Sequence, residues 1–74
     1  MGESEVARLR RQIELEYEAM QRGLAGFAAG AALHQFIQVR MEHISNHQNM
    51  LVGYVGEKEA AHITAELYMK VMEK

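Results

Sequence analysis

The chain has no cysteine, no proline, no tryptophan and no aspartate. Without cysteine it can form neither a disulfide nor a thiolate metal site. A chain of 74 residues has only a small core, so its stability must come from helix packing, from a histidine or carboxylate metal site, or from a partner subunit. The same absence fits a reducing compartment, and a cytoplasmic setting is expected. Without proline no helix has a built-in stop. Eight Lys and Arg against ten acidic residues leave a net charge of −2, which provides neither the basic footprint of a nucleic-acid binder nor an acidic tail.

Long apolar runs are also missing. The opening "MGESEVARLRRQ" is charged almost at once and lacks the apolar core of a signal peptide, so no secretion signal is expected. Residues 23–39 carry no formal charge, but as a helix they reach only about 25 Å against about 30 Å of hydrocarbon. His34, Gln35 and Gln38 interrupt them as well. No membrane partner is expected.

What the chain does contain is the composition of helices: Ala, Glu, Met, Leu, Gln and Arg. Val6, Leu9, Ile13, Tyr17, Met20, Leu24 and Phe27 follow one another at steps of three and four, which holds them within about 80° of a helical wheel. Ser4 stands where an N-cap would. The stretch "GLAGFAAGAALHQF", residues 23–36, holds three glycines and five alanines. On the same wheel Ala19, Gly23, Gly26 and Gly30 fall on a second face, roughly 110° away. Leu33, Ile37, Met41, Ile44, Leu51 and Val55 continue that face.

Because the phase of the stripe survives Gly23, the spacing predicts one helix over about residues 4–52, a turn at 53–56 and a return helix over 57–73, all in a single domain. The return helix has an apolar row at Ala60, Ile63, Leu67 and Val71, with Glu59, His62, Glu66, Lys70 and Glu73 set opposite. A first helix of that length, about 70 Å, is covered by the return helix over only about a third of its length. Val6 to Phe27 would then lie bare, and a second copy of the chain is the simplest cover. The expected fold is therefore all-α: a helical hairpin assembled into a helical bundle by oligomerisation, as a homodimer or tetramer. Its interface would use Val6, Leu9, Ile13, Tyr17, Met20, Leu24 and Phe27, with Gly23, Gly26 and Gly30 admitting close backbone approach. The rival is a monomeric three-helix bundle with a break near Gly23, where "QRG" resembles a helix C-terminus.

These features point to a non-enzymatic oligomerisation or protein-interaction module, a scaffold or adaptor, with an unidentified protein partner also allowed. No serine, threonine or lysine occupies a nucleophile setting, and no cofactor is implied. His43 and His47 lie one turn apart and could supply two metal ligands, but "HISNH" lacks the glutamate of a metalloprotease pattern. They are read as surface or interface residues, and no metal is expected. The alternative is a small nucleic-acid-associated regulator. It requires Arg8, Arg10, Arg11 and Arg40 to converge on one face, although Glu14, Glu16 and Glu18 follow the arginines closely and oppose phosphate.

Overall fold

The computed structural model describes residues 4–26 and 30–73. They form three helices, α1 (Glu5–Gly26), α2 (Ala31–Val55) and α3 (Glu57–Met72), with no strand among the described residues. Each helix packs on the other two. The single helix expected over 4–52 is therefore corrected, and the three-helix arrangement fits instead. The break also differs from the one considered at Gly23, because that residue is helical and buried within α1. Gly30, with φ 112°, precedes α2 in the left-handed region that favours glycine. Phe27 lies outside the described residues.

The break changes what covers what. A continuous rod would leave the α1 stripe in water, whereas a folded-back chain buries it against its own α2 and α3. Leu9, Ile13, Tyr17 and Met20 join Ile44, Leu51, Ala60, Ile63, Leu67 and Val71 in one core. Leu9, Ile13 and Leu51 are 0 % exposed, and full burial of such side chains stabilises the fold by about 1.5–3 kcal/mol each. Val6, Ile37, Val52, Val55 and Met72 are half-buried around them.

Local chemistry sets the remaining boundaries. Ser4 Oγ accepts a hydrogen bond from the Ala7 backbone N–H at 3.1 Å, the N-cap expected from sequence. α2 runs through Gly53 to Val55, so the expected four-residue turn at 53–56 shrinks to one residue. Gly56, at φ 91°, performs the whole reversal. Its N–H donates to the Val52 carbonyl at 2.9 Å, and its own carbonyl accepts from Ala60 N–H at 3.0 Å. A one-residue connection makes α2 and α3 antiparallel neighbours. Ion pairs linking residue 10 to 66 and 14 to 70 show that α1 and α3 run parallel. Gln21 Nε2 donates to the Val71 carbonyl at 2.9 Å, satisfying one open carbonyl at the end of α3.

Candidate functional site

The residues that sequence marks as an interface divide on folding. Leu9, Ile13, Tyr17, Met20 and Gly23 are buried within the chain, and Val6 is half-buried. Leu24 is 49 % exposed, and Gly26 and Gly30 are exposed. The bare strip that called for a second copy is thus largely covered by the same chain. The close approach is real, but it lies at Gly23 alone: a Cβ built there would collide with the Phe36 ring from α2. A Cβ at Gly26 or Gly30 would meet nothing within 4 Å. Ala19, Arg22, Gly23, Gly26 and Phe36 line a shallow cavity of about 410 Å³ beside this contact.

The arginines do not converge. Arg8 forks onto Glu5, at 2.7 Å for the shorter contact. Arg11 pairs with Glu14 at 3.4 Å, and Arg10 reaches Glu66 of α3 at 4.0 Å. At 100° per residue Arg8, Arg10 and Arg11 also spread over about 160° of the α1 circumference. Arg40 comes from α2, with its guanidinium over the Phe36 ring at 5.1 Å and its Nε 3.2 Å from Glu16 Oε1. That last contact has ion-pair distance without hydrogen-bond direction, and both atoms are buried with no hydrogen-bond partner.

Glu16 also meets His43, whose Nδ1 lies 3.0 Å from Glu16 Oε2. Glu16 therefore joins α1 to α2 through one permanent cation and one imidazole. His47 does not extend this cluster, since its Nδ1 is buried with no hydrogen-bond partner. Among the described residues no three histidine or carboxylate side chains are grouped so as to hold a metal ion. On the other side of α1, Lys70 Nζ sits 2.9 Å from Glu14 Oε2. Its hydrogen bond outweighs partial burial and, with Arg11 nearby, holds the Glu14 carboxyl below its usual range.

The surface shows a feature that the sequence reading missed. α3 carries three sectors, not two. Ala60, Ile63, Thr64, Leu67 and Val71 are buried, with Thr64 Oγ1 donating to the Ala60 carbonyl at 2.9 Å. Glu59, His62, Glu66, Lys70 and Glu73 form the polar sector. Between them, on the outward side, lie Ala61, Ala65, Tyr68, Met69 and Met72, within roughly 100° of the wheel. Met69 is 55 % exposed, and Tyr68 remains 40 % exposed even with its ring edge-on to Tyr17 at a centroid distance of 5.5 Å. Their spacing of four, three, one and three was legible as a second helical row. It was hidden because the first row had already accounted for the helix.

No helix among the described residues is long and apolar enough to cross a membrane. In comparisons with protein-family models, curated proteins and solved structures, nothing matches this chain.

Proposed function

We propose that the chain is a small non-enzymatic interaction module, a scaffold or adaptor that works by docking helical surfaces and associates with copies of itself. One observation carries this reading. The three helices already close a core from within, yet Met41, Met50, Tyr54, Tyr68 and Met69 are left between 40 and 57 % exposed. Single apolar residues on a surface are ordinary, but several large flexible ones left exposed on both α2 and α3 suit partner binding. The nucleic-acid alternative has less support, because Arg8, Arg10, Arg11 and Arg40 each face a glutamate. A phosphate backbone would have to displace those carboxylates first.

The test is molar mass by light scattering on a size-exclusion column, run over a concentration series at moderate salt. A discrete dimer or tetramer persisting at low micromolar concentration is expected. A monomer at every concentration, together with a salt-sensitive mobility shift on DNA or RNA, would replace this reading with the regulator.

A further inference from the structure

We propose that the outward face of α3 is a two-fold interface for a second copy of this chain, a proposal that rests on the interaction-module reading above and names its surface. The face is graded along its length. Its first half carries the small exposed residues Ala61 and Ala65, and its second half carries Tyr68, Met69 and half-buried Met72. In an antiparallel pairing of two such helices, the large half of one lies against the small half of the other. That fit is self-complementary, as an isologous two-fold contact must be. A parallel pairing would set large against large and leave the small halves apart.

The charges at the two ends of the face fit the same arrangement, while Glu66, which comes beside its own copy near the midpoint, is already paired with Arg10 at 4.0 Å. Lys58 and Glu73 are exposed at opposite ends of the face, and both lie on its polar-sector side. A two-fold axis perpendicular to antiparallel helices keeps each flank of one helix beside the same flank of its mate. Lys58 of one copy therefore comes opposite Glu73 of the other, twice by symmetry. The midpoint between these positions falls next to Ala65, so the axis crosses the helix where its side chain is small and backbones can approach. Glu57 sits on the other flank and does not meet Glu73.

The neighbouring helix widens the surface. Met41 is 52 % exposed and lies as many residues before the Gly56 reversal as Val71 lies after it, which sets it level with the end of α3. There it extends the apolar half of the face onto α2. Tyr68 and Met72 also touch the core, but Met69 lies outside it, so a substitution there leaves Leu67, Ile63 and Val71 packed as they are.

The test uses the whole chain in sedimentation or light-scattering titrations of four proteins: wild type, Met69→Glu, Lys58→Glu, and the double reversal Lys58→Glu with Glu73→Lys. Circular dichroism melts check that each remains folded. Met69→Glu is expected to be monomeric at concentrations where wild type is dimeric. Lys58→Glu should weaken the dimer roughly three- to tenfold through two symmetric pairs, and the double reversal should return it to within about twofold of wild type. A wild type that is monomeric throughout would overturn both this proposal and the interaction reading. A wild-type dimer that Met69→Glu and Lys58→Glu leave equally tight would overturn the α3 face alone and keep the module.

Discussion

The two apolar faces of α3 are made from similar residues and meet different fates. Ala60, Ile63, Leu67 and Val71 are buried, while Ala61, Ala65 and Met69, one or two positions away, are exposed. Composition does not separate them. The separation comes from where α1 and α2 lie, and only one side of α3 faces them. An apolar row therefore states that a surface wants cover, while the tertiary arrangement states whether the chain supplies that cover itself.

The sharpest way to break this comparison is to truncate one residue from each face. Leu67→Ala leaves a cavity in the core and should cost about 2–5 kcal/mol of unfolding free energy. Met69→Ala should change the stability of the isolated monomer by less than about 0.5 kcal/mol. Urea titrations at a concentration below any self-association would measure both. Equal losses would mean that the two faces are not distinct.

A smaller contrast uses two glycines on α1. Gly23→Leu should destabilise by about 1–3 kcal/mol, because the Phe36 ring must move and Arg40 loses the face it rests on. Gly26→Leu places its side chain in open space and should leave the melting temperature nearly unchanged. A large loss at Gly26 with none at Gly23 would contradict the described packing of α1 on α2.

The smallest effects are electrostatic and appear as the two limbs of the pH–stability curve. Burial, and then the neighbouring Tyr68, raise the Tyr17 hydroxyl above its ordinary value of about 10. The folded state thus holds that proton more tightly than the unfolded chain. The associated stability is fully present below about pH 10 and is lost as the pH rises through the folded value. Tyr17→Phe should flatten the alkaline limb. Glu14 behaves oppositely, since its lowered value gives stability present above the ordinary glutamate range and lost as the pH falls. Glu14→Gln should flatten the acid limb by a smaller amount, because its partner Lys70 is exposed. Unchanged limbs in both variants would remove these contacts from the account of stability.

Much of the core was legible in the sequence. Leu9, Ile13, Tyr17 and Met20 were marked by a period that only a helix explains, and Ala60, Ile63, Leu67 and Val71 by the same rule. The row His34, Gln35, Gln38, Glu42, Ser45 and Asn49, which takes over the α1 stripe's wheel position, is exposed throughout. The break between α1 and α2 was harder to place. Periodicity records phase, and a connection of a few residues can restore the same phase by chance. Gly23, Gly26 and Gly30 look alike in sequence but do three different things: one receives an aromatic ring, one faces open space and one turns the chain. The pairing of Arg40 and His43 with Glu16 joins residues more than twenty positions apart, so no local pattern carries it.

The sequence by itself determined that this chain is helical, which residues line each helix, that Ser4 caps the first and that glycine serves the last reversal. These properties depend on side-chain volume, backbone freedom and spacing within a few residues, all of which are local. Only the tertiary structure decided that the α1 stripe is buried by the chain's own α2 and α3, that Arg8, Arg10, Arg11 and Arg40 each pair with a glutamate, and that a second apolar row on α3 is left largely uncovered by the chain itself. Those outcomes depend on which helix lies beside which. That choice is made by the total apolar surface removed from water across the whole chain, a quantity that no single stretch contains.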